Sequence, residues 1–143
     1  MTNWTRGKES ILALSEGYLL DTHTLIWWWN DPERLSPALI GLLGDPANSV
    51  SVSAVSGLEI AIKVRIGQLP AMERRIADFD AAIRRDGFQH LPVTHAHAVR
   101  GGLIPGSHRD PFDRIIAAQA LIDDLTVVTR DAEIAAFGCK VLW

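Results

Sequence analysis

Short apolar runs rich in β-branched residues alternate with segments of helical periodicity along most of this chain. The runs predict strands over residues 18–21, 49–54, 88–93, 125–129 and 139–142. Helices are predicted between them, over residues 22–30, 37–44, 56–67, 70–87, 94–100, 111–124 and 131–137. Because parallel strands need a crossover connection, which is usually helical, this order predicts an α/β fold. A central parallel sheet would be covered by helices on both faces.

The composition fits one compact domain with a hydrophobic core. The chain has 143 residues, of which 48% are hydrophobic and 22% are charged, so we do not expect disorder. The alternating pattern covers residues 18–143, which are predicted to form a single domain. Residues 1–17 show no clear pattern. We treat them as an N-terminal extension of unknown role, outside any site.

Charge and hydropathy argue against several classes of protein. The net charge of −3 is unlike that of a protein that holds nucleic acid by a large positive field, so contact with RNA or DNA would be local. The one cysteine, Cys139, rules out an internal disulfide and fits a reducing cytosol. Apolar runs fall short of the ~20 residues of a membrane span, and the N-terminus lacks a signal-peptide pattern. We therefore expect a soluble cytoplasmic protein without membrane contact.

Four acidic residues stand where the predicted sheet would gather them at one edge. Asp21 ends the first strand, Glu59 follows the second, and Asp131 follows the fourth. Sites in parallel α/β sheets lie at the carboxyl ends of the strands, so these three residues are expected at that edge from their places in the sequence alone. Asp113 begins the helix before the fourth strand. The Gly-rich loop before that helix must bring Asp113 to the same edge.

Such a cluster of acids cannot stay fully charged and alone. Two carboxylates about 5 Å apart repel by roughly 3 kcal/mol at an effective dielectric of about 20, and four carboxylates make six such pairs. The sum approaches the ~5–15 kcal/mol that keeps a domain folded. The cluster must take up protons or bind a cation, and oxygen ligands suit Mg²⁺ or Mn²⁺. Such an ion would activate water for phosphodiester hydrolysis.

The acids also have purely structural explanations. Asp21 and Asp131 could each cap the helix that follows, as aspartates often do. Glu59 stands three residues after Ser56, the spacing of a capping box, and four before Lys63, the spacing of a helical ion pair. The functional and structural interpretations of Glu59 and Asp131 are about equal at this stage.

The sequence HRDPFDR contains a further acid, Asp110, directly before Pro111. Aspartate followed by proline is typical of a helix start, so we favour capping for Asp110 and metal binding for Asp113. A shared role for Asp110 at the metal stays open. Thr129, in the TRD sequence, offers a second oxygen beside Asp131.

Several conspicuous residues carry less weight. Trp27, Trp28 and Trp29 point about 100° apart on a helix, so core packing plus a partner-binding surface is favoured over a base-stacking platform. His95 and His97 fit neither one helix face nor a zinc pattern, and we expect both at the surface.

Basic residues lie close to the acids in sequence. They could hold phosphates, or they could form ordinary ion pairs. The residues are His108, Arg109, Arg114 and Arg130. Ser53 and Ser56 lack an obvious histidine and acid arrangement, so serine catalysis is not expected.

Four motifs follow one another in unbroken order between Tyr18 and Trp143: LLDTHTLIWWW, SAVSGLEIAIKVRIGQL, HRDPFDRIIAAQA and LTVVTRDAEIAAFGCKVLW. Together they resemble the PIN-domain family, specifically its VapC-type toxin ribonucleases of toxin-antitoxin pairs. The resemblance implies a three-layer α/β/α fold and an endoribonuclease that depends on Mg²⁺ or Mn²⁺. It also implies an RNA substrate, a homodimer, and a VapB-type antitoxin that inserts a segment into the acidic groove.

The resemblance carries over to individual residues. It assigns catalysis and metal binding to Asp21, Glu59, Asp113 and Asp131. Asp110 falls near the metal. Gly57 and Leu58 stand where many relatives have a bulkier pair before the acid, which leaves the acidic pattern intact.

Two other functions are compatible with acids at a sheet edge. A metal-dependent phosphatase of related fold usually needs two aspartates beside the first strand, whereas this chain has Asp21-Thr22-His23. A catalytically inactive PIN-like module would bind a partner and use its acids only as helix caps. Metal binding separates this last alternative from a nuclease.

Overall fold

The computed structural model describes residues 17–143, and the remainder of the predicted N-terminal extension lies outside the described residues. The strands are β1 Gly17–Leu20, β2 Ser49–Ser53, β3 Gln89–Leu91, β4 Thr126–Val128 and β5 Val141–Leu142. The helices are α1 Thr22–Asn30, α2 Pro37–Gly44, α3 Ala54–Arg65, α4 Glu73–Ala77, α5 Phe79–Arg85, α6 His95–Leu103, α7 Pro111–Asp123 and α8 Ala132–Ala135. Two 3-10 turns, Pro32–Arg34 and Pro70–Met72, complete the list for this part of the chain.

All neighbouring strands run parallel, in the order β3-β2-β1-β4-β5. The chain leaves β1 for β2 on one side and later returns to β4 on the other, so Leu20 pairs with both Val52 and Val128. The strand order therefore reverses beside β1. In open parallel sheets the crevice at such a point, beyond the carboxyl ends of the strands, is where ligands bind.

The sheet is buried on both faces, as its apolar strands require. Leu19 and Leu20 are adjacent in β1 and point to opposite faces. Leu20 packs in a core with Leu25 of α1. Leu19 packs in a second core with Ile116 of α7 and Ile134 of α8. The predicted three-layer α/β/α fold with a central parallel sheet is confirmed.

The helix predicted over residues 70–87 is wrong as a single element. The chain forms a 3-10 turn and two short helices instead, with a break at Asp78, where φ is −130° and ψ is 43°. Met72 and Ile83 are both fully buried in the same core. On one straight helix they would lie about 16 Å apart along the axis, so the bend at Asp78 keeps both in contact with that core.

The surface position predicted for His97 is also wrong. His97 is 3% exposed, and its Nδ1 accepts a hydrogen bond from the backbone N–H of Thr94 at 3.1 Å. The Thr94 hydroxyl accepts the His97 N–H in return, which makes a capping box at the start of α6. Within residues 17–143 no helix is long and apolar enough to span a lipid bilayer.

Candidate active site

Asp21 and Asp131 lie on either side of the crevice between β1 and β4. One oxygen of the buried Asp21 carboxylate accepts the backbone N–H of Thr24 at 2.7 Å. The other accepts the hydroxyl of Thr129, which directly follows β4. The same threonine oxygen accepts the backbone N–H of Asp131 at 2.9 Å. Thr129 thus joins the two acids across the crevice.

Asp113 stands in the first turn of α7, next to His108. His108 Nε2 lies 2.9 Å from Asp113 Oδ2, and His108 Nδ1 lies 3.3 Å from Glu133 Oε1. His108, Asp113 and Asp131 each offer one ligand atom, and the three atoms lie within 4.8 Å of one another. The Gly-rich loop therefore does bring Asp113 to the edge of the sheet where Asp131 lies.

Arg114 holds this loop in place rather than pairing with an acid. Its Nε donates to the Gly101 carbonyl at 2.8 Å and its Nη1 donates to the His108 carbonyl at 2.7 Å. Neither role considered for Arg114 from the sequence, phosphate binding or an ion pair, matches these contacts. The guanidinium instead satisfies backbone carbonyls of the loop and so positions His108.

Glu59 is buried on α3, and only one of its two carboxylate oxygens has a hydrogen-bond partner among the described residues. Its Oε2 accepts Lys63 Nζ at 2.9 Å, so the predicted helical ion pair is confirmed. Its Oε1 has no hydrogen-bond partner within the described residues. The predicted capping box with Ser56 is wrong, because α3 begins earlier and Ser53 caps it by accepting the Val55 N–H.

The pKa of Asp113 is raised to about 6. Burial is the largest cause, the negative charges of Asp110, Asp131 and Glu59 also raise this pKa, and the His108 hydrogen bond lowers it. The pKa of His108 is raised, chiefly by its hydrogen bond to Asp113. Both pKa values are thus raised at the place where the acids are gathered.

Asp21, Asp110 and Asp131 all cap helices; the sequence favoured capping for Asp110 and left it as an alternative for Asp21 and Asp131. Asp110 Oδ1 accepts the N–H groups of Phe112 and Asp113, and Asp131 Oδ1 accepts the N–H of Glu133. In each case the cap uses Oδ1, and a carboxylate has a second oxygen with its own lone pairs. Capping therefore does not exclude metal binding.

A cavity of about 330 Å³ opens beside the acids. Asp21 and Asp131 form one part of its wall. His23, Trp27 and Arg130 form another. The site thus has an acidic part that could hold a cation and a second part with rings and a guanidinium.

Three observations fit a hard divalent cation among these acids. Carboxylate oxygens of Asp113 and Asp131, the donors that such ions prefer, converge together with a ring nitrogen of His108. The pKa of Asp113 is raised, and Glu59 Oε1 is buried without a hydrogen-bond partner among residues 17–143. His108 was considered from the sequence only for phosphates or ion pairs. Its place five residues before Asp113, across a predicted helix start, is the sequence signal by which it could have been found.

The fold and site together define a class: an α/β protein with a candidate divalent-metal site at the carboxyl edge of its parallel sheet. The model of the PIN domain matches residues 18–138, and the chain belongs to the PIN domain family. It is similar to Ribonuclease VapC22 of Mycobacterium tuberculosis (strain ATCC 25618 / H37Rv), with 31% identity over 121 residues. That match covers 79% of this chain and 85% of the relative.

Several solved structures have a similar fold. One is VapBC2 from Rickettsia felis bound to a DNA fragment from its promoter, with a TM-score of 0.67, 17% identity, and coverage of 87% of this chain and 96% of that chain. Another is FitAcB from Neisseria gonorrhoeae, with a TM-score of 0.60, 24% identity, and coverage of 88% and 96%. These likenesses agree on the fold. Together with the family match they confirm the PIN-domain resemblance predicted from the motifs.

Proposed function

We propose that this protein is a divalent-metal-dependent endoribonuclease, the toxin of a toxin-antitoxin pair, that hydrolyses RNA phosphodiester bonds. One observation carries the proposal: ligand atoms of His108, Asp113 and Asp131 converge within 4.8 Å in a chain of the PIN domain family. Asp21, Glu59, Asp113 and Asp131 are the proposed catalytic and metal-binding acids. Asp110, the cap of α7, is a further ligand in this proposal.

Mg²⁺ or Mn²⁺ is the proposed ion, and Asp113 and Asp131 are its principal ligands with His108 beside them. When bound, the ion supplies a water of lowered pKa and a positive charge for the leaving oxygen. Lys63 neutralises one oxygen of Glu59 and leaves the other to contact a ligand or a water. His108 must release any proton that it carries before a ring nitrogen can ligate.

Asp21 is the best oriented of the acids. The Thr24 N–H and the Thr129 hydroxyl hold its two oxygens, so the carboxylate cannot turn away from the crevice. In this proposal the Asp21 carboxylate binds the cation or accepts a proton from water. Thr129 has a positioning role in this proposal, since it fixes Asp21 and the backbone of Asp131 together.

The proposed partners follow from the relatives and the charge of the chain. Complexes such as VapBC2 and FitAcB support a VapB-type antitoxin that binds the acidic groove. A homodimer and a cytoplasmic location are part of the same proposal. Since the net charge is −3, the substrate must be held by the metal and nearby arginines rather than by a basic surface.

RNA cleavage by purified protein tests the activity. We expect cleavage of total RNA in Mg²⁺ or Mn²⁺, none in chelator, and a loss of roughly 100-fold or more in Asp113→Asn, since such losses follow removal of a group that stabilises the transition state. Asp123→Asn is the matched control, because it makes the same change about 15 Å away at the other end of α7. It should cleave like the unchanged protein.

The same assay separates the alternatives. Equal cleavage by the unchanged protein, by Asp113→Asn and in chelator would reject the nuclease assignment, because the activity would belong to a contaminant. Absence of cleavage together with absence of Mn²⁺ binding would favour an inactive partner-binding module. Hydrolysis of a small phosphomonoester without RNA cleavage would favour the phosphatase.

A further inference from the structure

Part of the wall of the cavity beside the acids consists of residues that have no role in the proposed metal site. His23, Trp27 and Arg130 line it together with Asp21 and Asp131. The guanidinium carbon of Arg130 lies 4.6 Å from the centre of the Trp27 ring, and the His23 ring lies 5.9 Å from it. His23 and Arg130 are exposed, whereas Trp27 is half-buried.

Trp27 differs from the two tryptophans that follow it. The indole N–H groups of Trp28 and Trp29 both donate to Asp86 Oδ2, at 3.0 Å and 2.7 Å, which explains them as structural. Among the cavities found in the described part of the chain, this one lies against both Trp27 and the acids. Trp27 also packs against Trp143 and Arg34, and it is the one of the three whose ring lines this cavity.

We propose that this cavity is the subsite for an unpaired nucleotide of the substrate RNA, next to the bond that is cut. The base lies against the rings of His23 and Trp27, and Arg130 binds its phosphate. The inference rests on the proposed function, because the acids determine where the cut phosphate must lie.

The chemistry of the walls fits a nucleotide better than other small ligands. Aromatic rings and guanidinium planes are the groups on which proteins stack unpaired RNA bases, and guanidinium also pairs with phosphate oxygens. Within residues 17–143, Arg130 makes no ion pair that would compete with a phosphate. A cavity of about 330 Å³ lies at the small end of ligand pockets, so it admits one nucleotide rather than a paired helix.

The position beside the acids explains why the subsite would set specificity. A base that lies in the cavity against His23 and Trp27 keeps its phosphate close to Asp21 and Asp131, which line the same cavity. A base that is paired and stacked in a helix cannot enter without leaving its partner. The enzyme should therefore prefer cuts in loops and other single-stranded segments of folded RNA.

An abasic substrate tests the contact with the base. A single-stranded RNA oligonucleotide with one mapped cut is compared with versions that lack the base on either side of that cut. With the unchanged protein we expect one of the two abasic versions to lower kcat/KM by roughly 5- to 150-fold, the range for loss of one stacked base. In His23→Ala or Trp27→Leu the same abasic change should have a much smaller effect.

Arg130→Gln tests the contact with the phosphate. We expect it to raise KM and to make the negative slope of log kcat/KM against log salt concentration shallower by about 0.7, the value for one phosphate contact on a single strand. Arg75→Gln is the matched control, because Arg75 lies over the Trp29 ring at 5.1 Å and does not line the cavity. It should leave both KM and the salt slope unchanged.

The outcomes separate this subsite from the activity itself. Equal abasic effects in the unchanged protein, His23→Ala and Trp27→Leu would overturn the subsite while leaving the nuclease intact. If Trp27→Leu fails to fold, His23→Ala carries the test, since His23 is exposed. If the unchanged protein cuts no RNA, binding of a fluorescently labelled single-stranded RNA in Mn²⁺ decides. Weaker binding by both Arg130→Gln and His23→Ala supports the subsite, and binding equal to that of the unchanged protein overturns it.

Discussion

Asp113 is a carboxylate that the metal-free protein would be more stable without. In the folded protein its pKa is about 6, above its usual value of 3.8, because burial and neighbouring acids disfavour the charged form. Between these two pH values the folded state binds more protons than the unfolded state. Its contribution to stability therefore falls as the pH rises from about 4 to about 6, and the penalty is fully present above that range.

The first prediction concerns the sign of this effect. In chelator at about pH 7.5, Asp113→Asn should melt at a higher temperature than the unchanged protein, because the amide resembles the neutral acid. As the pH falls below about 4 the two melting temperatures should converge, since Asp113 then takes up a proton in the unfolded state as well. Thermal melts over this pH range measure the difference. A lower melting temperature for Asp113→Asn at neutral pH would contradict the raised pKa.

The second prediction concerns the ion pair on α3. Lys63→Met should lower the free energy of unfolding by about 1–3 kcal/mol, because it leaves Glu59 buried and without its partner. Urea denaturation measures the loss. In the double variant Lys63→Met with Glu59→Gln the loss should be smaller, since no unpaired charge remains. Equal losses would mean that the lysine stabilises by packing alone.

Helices α6 and α7 approach each other closely at one glycine. A Cβ added at Gly101 would lie 3.2 Å from the Arg114 carbonyl oxygen and 3.3 Å from the Ile115 Cα, both backbone atoms. Backbone cannot move aside as a side chain can. The same contact places the Gly101 carbonyl where Arg114 Nε donates to it, so the helix pair also supports the loop that carries His108.

The third prediction compares two adjacent glycines of α6. Gly101→Ala should lower the free energy of unfolding by about 1–3 kcal/mol, because the added methyl group forces the two helices apart. Gly102→Ala should raise it by about 0.5–1 kcal/mol, since nothing lies within 4 Å of its added Cβ and alanine favours the helix. Chemical denaturation of both variants measures whether each change raises or lowers the free energy of unfolding. The same sign for both would contradict the close helix contact.

At the scale of the whole molecule, the sheet order joins parts of the chain that are far apart in sequence. Because β1 lies between β2 and β4, the residues that follow β1 and β4 meet in one crevice, where Thr129 bonds Asp21. An ion bound there would link α7 with the β1 and β4 edge. Folding and metal binding should therefore be coupled.

The fourth prediction measures this coupling. Mn²⁺ at one hundred times its Kd should raise the free energy of unfolding by about 2.7 kcal/mol, because only the folded state holds the site. Asp21→Asn and Asp113→Asn should show a much smaller rise. Asp123→Asn, at the far end of α7, should respond like the unchanged protein. An equal rise in all four proteins would mean that the ion binds elsewhere.

Much of the fold could be predicted from local patterns. The five strands lie within the predicted ranges apart from Gly17, which begins β1 one residue early. Ser36 and Asp110 cap α2 and α7 as their neighbouring prolines indicated. The broken helix at Asp78 and the buried His97 were missed. Both depend on packing against distant residues, which periodicity does not contain.

The amino-acid order was enough to establish an α/β alternation, the caps of α2 and α7, and that Asp21 and Asp131 follow strands, because these features depend on neighbouring residues in the chain. It could not establish that His108 joins Asp113 and Asp131, that Glu59 keeps one oxygen without a partner, or that Trp27 alone of three tryptophans lines the cavity with the acids. Those features depend on how segments about 20 to 100 residues apart pack, and burial and charge act through space rather than along the chain.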